Sequence, residues 1–221
     1  MNRQYEDRAE AGRVLARYLM HYSHRPDVLV LALPRGGVPV AFEVATALDA
    51  PMDLAMVRKL GVPGQEELAM GAIAMGVRFM NEDVVNSLRI TRDMIEEVAR
   101  REQEELVRRL RDYRGDRPEP EVKGWTVILI DDGLATGASM KVAVRAVRQK
   151  LPAGVIVAVP VAPADTIESL QHEVDEIVCP MTPSPFFGVG QWYYDFSQTT
   201  DAQVRELLSQ VRKTEYALPK Y

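Results

Sequence analysis

Apolar residues in this chain occur in two patterns, short unbroken runs and longer stretches at three- and four-residue spacing, and the two alternate. Over residues 5–22, Val14, Leu15, Tyr18, Leu19 and Tyr22 recur at helical spacing, which predicts a helix with one apolar face. Val28 to Leu33 is continuously apolar, as in a strand buried on both faces. Pro34-Arg35-Gly36-Gly37 breaks that run, and Phe42, Val44, Ala45 and Leu48 restore a helical pattern. Leu54 to Val57 predicts a second strand, followed by Arg58-Lys59 and the polar stretch Gly61 to Glu67, whose glycines and proline predict a mobile loop. Residues 71–80 predict one or two short strands with a turn near Gly76. Residues 81–114 predict a long helical segment whose Glu- and Arg-rich face suits i,i+4 pairing in solvent. Gly115, Pro118, Pro120 and Gly124 make 114–124 a linker. Trp125 to Ile130 is the strongest buried-strand pattern, and Met140, Val144, Val147 and Leu151 then mark a helix. Strand, helix and strand follow at Val155 to Val161, Pro163 to Leu170 and Glu176 to Cys179. This alternation predicts an α/β fold, a parallel sheet flanked by helices on both faces.

Composition narrows the function classes. With 47% hydrophobic and 27% charged residues among 221, the chain has the balance of a globular protein and a length suited to one domain. No run of about eighteen apolar residues offers a membrane span. The first twenty residues are amphipathic and charged, unlike an export signal, so a cytoplasmic location is expected. A net charge of −5 argues against nucleic acid as the main partner. The lone Cys179 lies in an apolar run and reads as a small buried hydrophobe, and the three histidines have no zinc-ligand spacing. Phe186, Phe187, Trp192, Tyr193 and Tyr194 cluster among turn residues, where they would form either a satellite core or a lid over a planar ligand.

The chemistry concentrates after the strand ending at Ile130. In an open parallel sheet, ligands bind beyond the carboxyl ends of the strands, and Asp131 and Asp132 stand at such an end. The turn Gly133-Leu134-Ala135-Thr136-Gly137-Ala138-Ser139 leads directly into a helix. Its backbone N–H groups and the positive helix end can converge on a phosphate, with the hydroxyls of Thr136 and Ser139 beside them. Two acids next to a phosphate nest suit a ribose 5-phosphate. The turn lacks the lysine of a P-loop, and its glycines do not match a dinucleotide fingerprint. A magnesium site for phosphoryl transfer, or a purely structural turn and cap, are the other readings of these residues.

The run Val127 to Ser139 resembles the phosphoribosyl pyrophosphate signature of type I phosphoribosyltransferases: an apolar strand, two acids and a Thr-Gly-rich turn, with Ser139 where the family often has threonine. Pro34-Arg35-Gly36-Gly37 resembles the family's pyrophosphate loop, and Arg58 to Glu67 lies where the family has a flexible catalytic loop. The resemblance covers about residues 26–180. It implies a type I phosphoribosyltransferase-like parallel sheet of five strands, a mobile loop, a helical insertion at about 81–114, and a small C-terminal hood at about 180–221 with part of the N-terminus, all within a single domain, 1–221. It further implies that Asp131 and Asp132 bind the ribose hydroxyls, that Gly133, Leu134, Ala135, Thr136, Gly137, Ala138 and Ser139 form a substrate-binding turn, and that Ala135 through Ser139 of it hold the 5-phosphate. Arg35, Gly36 and Gly37 would contact pyrophosphate, with Arg58 and Lys59 adding positive charge. Mg2+ would arrive on the substrate's oxygens, touching Asp131 and Asp132 through substrate and water or not at all.

The implied reaction is transfer of a 5-phosphoribosyl group from phosphoribosyl pyrophosphate to a planar nitrogenous acceptor. The other class consistent with the same pocket is a non-catalytic regulator that senses phosphoribosyl pyrophosphate. The acceptor, a general base and the oligomeric state, with a homodimer compatible, are left open by these residues. Glu66 or Glu67 reads either as a solvated surface acid or as a group positioning the acceptor.

Overall fold

The computed structural model describes residues 4–115 and 120–211, apart from the side chain of Glu67. Pro118 of the linker and residues 212–221 of the hood segment lie outside the described residues. Five strands form a parallel sheet: β1 (Val28–Ala32), β2 (Met52–Leu54), β6 (Thr126–Ile130), β7 (Gly154–Ala158) and β8 (Glu176–Val178), in the order β2-β1-β6-β7-β8. Every residue of β1 and β6 is buried, as their unbroken apolar runs require of central strands covered on both sides. Alternate residues of these strands face two apolar cores. Val28, Val30, Ile128 and Ile130 join one with α1 (Arg8–Tyr18) and α2 (Gly37–Leu48), while Leu29, Leu31, Val127 and Leu129 join the other with α5 (Ala138–Gln149). The remaining core helix, α6 (Ala164–Leu170), links β7 to β8.

The helix expected over 5–22 is shorter, and of its predicted apolar positions Leu15, Leu19 and Tyr22 are buried. It starts after Asp7, whose carboxylate accepts from the Glu10 N–H, and it buries Ala11, Gly12, Leu15 and Ala16 while Tyr18 stays 56% exposed. Gly12 adds a contact the apolar pattern does not show. A Cβ there would sit 2.7 Å from the Val40 carbonyl, so glycine lets α1 lie directly against α2.

The largest departure concerns 57–80. The expected strand at 54–57 ends at Leu54, and the expected mobile loop is instead β3 (Val57–Val62), a turn at Pro63–Gly64 and β4 (Gln65–Ala74). With β5 (Val77–Met80) these strands make a separate antiparallel sheet. Its faces are both occupied: Leu60, Val62, Met70 and Ile73 share a core with α4 (Arg92–Arg114), and Ala74, Val77 and Phe79 join the core beside α5. Burial holds the inner part of the sheet, around Leu60, Met70 and Ile73, while Pro63 and Gly64 fall at its exposed tip, 63–66, where they serve the turn.

The helical segment is two helices, α3 (Glu82–Ser87) and α4, capped by Asn81 and Thr91. Much of α4 is solvated as expected, with Glu105, Arg108, Arg109 and Asp112 linked in exposed ion pairs. Two charged residues are not. Arg114 is 4% exposed, its Nε donating to Asp53 Oδ1 at 2.6 Å and its Nη2 to the Leu54 carbonyl at 2.8 Å, and this pins the end of α4 to β2. Glu102 is also buried, against Arg58. A final helix, α7 (Asp201–Val211), places Val204 and Leu208 in the core beside α2 and α4.

Candidate functional site

Strand order reverses between β1 and β6: from β1 the sheet continues to β2, and from β6 to β7 and β8. The helices after these two strands, α2 and α5, pack on opposite faces of the sheet, and the carboxyl ends of strands at such a reversal are where open α/β sheets bind ligands. Ala32 pairs with Ile130, and the Leu33 N–H donates to the Ile130 carbonyl at 2.8 Å, so residues 34–37 and 131–137 emerge side by side. Their contact depends on glycine. A Cβ on Gly36 would lie 2.1 Å from Asp132 Oδ2, and one on Gly37 would lie 2.7 Å from the Ile130 carbonyl.

The turn after the acids is held from behind and open in front. The Leu134 N–H donates to the Val161 carbonyl at 3.0 Å, and the Thr166 hydroxyl to the Ala135 carbonyl at 2.6 Å. Gly133, Leu134 and Gly137 are buried, whereas Ala135, Thr136, Ala138 and Ser139 face solvent. Gly137 takes a left-handed conformation, φ 70°, and α5 begins at the next residue, so the helix's first N–H groups and its positive end lie at the exposed rim. That is the chemistry of an anion site.

Asp131 and Asp132 are largely enclosed while keeping part of their surface open. Burial pushes the Asp131 carboxyl well above the usual range, and the charge of Asp132 raises it further. Burial also raises Asp132, but Arg8 opposes the rise. Arg8 Nε lies 2.8 Å from Asp132 Oδ2, its Nη1 donates to the Ser197 carbonyl at 2.7 Å, and its guanidinium sits 4.0 Å from the centre of the Phe196 ring. The Tyr193 hydroxyl donates to the Asp132 carbonyl at 2.5 Å. Both residues arrive from far along the chain through the pairing of segments 5–6 and 192–195. The Tyr5 N–H donates to the Trp192 carbonyl, and the Tyr194 N–H returns to the Tyr5 carbonyl.

The structure therefore brings together Gly36, Gly37, Asp131, Asp132 and the turn Gly133 to Ser139. The other cations stand apart from them. Arg35 follows a cis Pro34–Arg35 peptide, and its Nη1 lies 3.6 Å from Asp201 Oδ1. Arg58 Nε donates to Glu102 Oε2 at 2.9 Å, and its Nη2 reaches the same oxygen. Lys59 is exposed and adjacent to Arg58 on β3, so the two side chains leave opposite faces of the strand and do not act as a pair. Glu66 is exposed near the hairpin turn, where a cleft of about 320 Å³ opens between Gly61 to Gly64 and α4, away from the acids. The side chain of Glu67 lies outside what is described.

In the aromatic tail, Trp192 and Tyr193 are 7% and 4% exposed and share a small core with Tyr5, Ala11 and Val161, against which Phe186 packs. This is the satellite core that the clustering suggested. Phe187 and Tyr194 remain 85% and 72% exposed. Trp192, buried in this way, is not placed to stack on a ligand. Arg8 had no place among the sequence candidates, and Tyr193 had one only as a ring of the aromatic cluster, not as a donor to Asp132. The one local hint was a cation in the first turn of a helix, where the helix dipole disfavours it unless a partner compensates.

Comparison with known proteins agrees with this geometry. The family described as "Phosphoribosyl transferase domain" matches residues 2–195. A Mycobacterium tuberculosis protein named "Putative phosphoribosyl transferase Rv0571c" is 44% identical over 210 residues, which are 95% of this chain and 47% of that protein. The chain thus spans about half the length of the curated relatives it matches. The crystal structure of TT1426 from Thermus thermophilus is 39% identical with a TM-score of 0.80, covering 94% of this chain and 98% of that one. AQ2163 from Aquifex aeolicus, 13% identical with a TM-score of 0.51 over 91% of this chain and 85% of its own, shares the fold. The chain belongs to the phosphoribosyl transferase domain family, and its five-stranded parallel sheet flanked by helices is the type I architecture.

Proposed function

We propose that the site transfers a 5-phosphoribosyl group from phosphoribosyl pyrophosphate to a planar nitrogenous acceptor and releases pyrophosphate. The observation that carries this reading is the contiguity, at the β1/β6 switch point, of two carboxyl groups, an exposed turn running into the start of α5, and a glycine loop packed on the same acids. On this reading Asp131 and Asp132 take the ribose hydroxyls, and residues 135–139 take the 5-phosphate through backbone N–H groups and the Thr136 and Ser139 hydroxyls. The bond from the anomeric carbon to pyrophosphate breaks as a bond to the acceptor nitrogen forms, and the acceptor's proton leaves to solvent. Positive charge grows on the ribose and negative charge on the leaving group, so cations are needed at the pyrophosphate end. Arg35 is the candidate carried by the loop itself, one residue before Gly36. Arg58 joins it only by releasing Glu102, and Lys59 only from the other face of β3.

The acids fit a divalent ion partially. They supply hard oxygens, but Arg8 already holds Asp132, and among the described residues no group of three or more metal-ligating side chains is present. Mg2+ bound by substrate oxygens and water, with Asp131 at the margin, is the arrangement these residues suit. It would neutralise pyrophosphate charge. A cytoplasmic enzyme remains our reading, and no helix among the described residues is long and apolar enough to cross a membrane.

The test is calorimetry with ribose 5-phosphate, paired with pyrophosphate release from phosphoribosyl pyrophosphate over a panel of bases. Asp131→Asn with Asp132→Asn should weaken ribose 5-phosphate at least tenfold with native circular dichroism. Unchanged affinity would remove the site from these residues. Binding without turnover by any base would leave a sensor in place of an enzyme.

A further inference from the structure

On the far side of the glycine loop from the acids lies a second pocket, about 160 Å³, to which three separate elements send guanidinium groups: Arg35 from the loop after β1, Arg108 and Arg109 from α4, and Arg205 from α7. Two carboxylates share the lining, Asp112 and Asp201. Arg108 Nη1 reaches Asp112 at 2.8 Å, and both Arg108 and Arg109 bind Glu105 on their own helix. Asp201 stands among the rest. It accepts from the Tyr113 hydroxyl at 2.5 Å and faces Arg35 at 3.6 Å. The Tyr113 hydrogen bond holds its carboxyl below the usual range, and the charges of Arg35, Arg109 and Arg205 add to the effect.

With Glu105 counted, four guanidinium groups meet three carboxylates, so the cluster keeps a net positive charge, and Arg205 and Arg35 have only Asp201 between them in the lining. The fold does not depend on them, because α7 is anchored by the buried Val204 and Leu208. Guanidinium forks match the oxygens of phosphate groups and bind them in pairs. Asp201 and Tyr113 show what the pocket accepts: one negatively charged oxygen group, held by a phenol and facing arginines.

We propose that this pocket is a phosphate-binding subsite and that Asp201 is its resident competitor, which a phosphoryl group displaces to take the Tyr113 hydroxyl and the arginine contacts. Arg35 joins it to the acids, since the next residue, Gly36, lies on Asp132. The occupant is the distal phosphate of the pyrophosphate formed next door or a free inorganic phosphate acting as an effector. The first source rests on the phosphoribosyl-transfer reading. Asp201 and Arg205, two of the seven lining residues, lie beyond residue 195, where the family match ends.

The experiment is metal-free calorimetry with pyrophosphate, inorganic phosphate and ribose 5-phosphate on the native chain and three variants. Arg109→Gln with Arg205→Gln should weaken pyrophosphate at least tenfold and leave ribose 5-phosphate within twofold. Asp201→Asn should tighten pyrophosphate about threefold or more, because the competing charge is gone while the Thr200–Gln203 cap of α7 is untouched. Pyrophosphate much tighter than phosphate identifies the leaving group as occupant. Equal, arginine-dependent affinities identify an effector phosphate. Asp131→Asn with Asp132→Asn separates the two proposals, since it should abolish ribose 5-phosphate binding and spare this pocket. Arginine-dependent pyrophosphate binding on a chain that does not bind ribose 5-phosphate would keep the subsite and sink the transfer reading. No pyrophosphate or phosphate binding to the native chain, or affinities in the double-arginine variant within twofold of native, overturns the subsite.

Discussion

Replacing Arg8 with glutamine tests whether the acids depend on a remote cation. The substitution removes a charge-assisted hydrogen bond to Asp132, a second hydrogen bond to Ser197 and a guanidinium seated over Phe196. The Arg8 and Asp132 side chains are only 11% and 13% exposed, so solvent screening is weak. Hydrogen bonds to charged groups contribute about 1.5–3 kcal/mol and a cation over a ring about 0.5–2 kcal/mol. Protonation of Asp132 offsets part of that loss, leaving a net destabilisation of about 2–4 kcal/mol at pH 7. The dependence on pH is more diagnostic than the size. Burial raises both carboxyls above their unfolded values, so between the unfolded and folded values the native state binds more protons. The contribution of this pair is then greatest at low pH and is lost as pH rises from the unfolded toward the folded values. Without Arg8, the folded value of Asp132 rises further, and the decline is deeper and extends to higher pH. Urea unfolding from pH 4 to 8 should show a gap between the native chain and Arg8→Gln that is smallest at the acid end, where the Ser197 and Phe196 contacts account for it, and that widens toward neutrality. A gap that stays constant across this range, or no loss at pH 7, would refute the claim that Arg8 compensates the acidic pair.

Gly36→Ala should place a methyl group in Asp132, destabilise by about 1–3 kcal/mol and weaken ribose 5-phosphate at least tenfold; calorimetry showing native affinity would mean that the loop does not rest on the acid in solution. Arg114→Met leaves Asp53 buried without its cation and should cost about 3–5 kcal/mol in urea unfolding, whereas a loss under about 1 kcal/mol would show that α4 is held to β2 by other contacts. The Cys179 thiol is pushed up to about 11 by burial, so a disulfide reagent at pH 8 should modify the folded chain far more slowly than the urea-unfolded chain, and equal rates would contradict its enclosure.

Local features were legible in the sequence and long-range ones were not. β1, β6 and β7 announce themselves as unbroken apolar runs because both of their faces are covered, and the Asp131 to Ser139 segment is readable because its chemistry is contiguous. The β3–β4 hairpin misleads because its punctuation serves a turn and an irregular ladder. Gly64 has φ 79° at the tip, the register shifts on either side of Gly61, and a Cβ on Gly61 would lie 2.7 Å from the Glu66 carbonyl. For α7 a signal did exist, since Val204, Leu207, Leu208 and Val211 repeat at helical spacing.

Charged residues pose a harder problem, because sequence does not distinguish a solvated charge from a paired one. Glu102 and Arg114 lie in a run of acids and arginines that reads as one wet face, yet each is buried against a partner at least 44 positions away. Arg8 reaches its acid across 124 positions, and Arg35 reaches Asp201 from the opposite end of the described chain. An acid fully solvated before folding loses water when it is enclosed, and only a cation delivered by the fold restores that loss. Asp132 is such an acid, enclosed and with Arg8 drawn onto it from α1, whereas Asp201 of α7 meets Arg35 at the surface. The geometry of the acidic pair and of the loop beside it depends on the two ends of the described chain being in place, although neither end contains the motif.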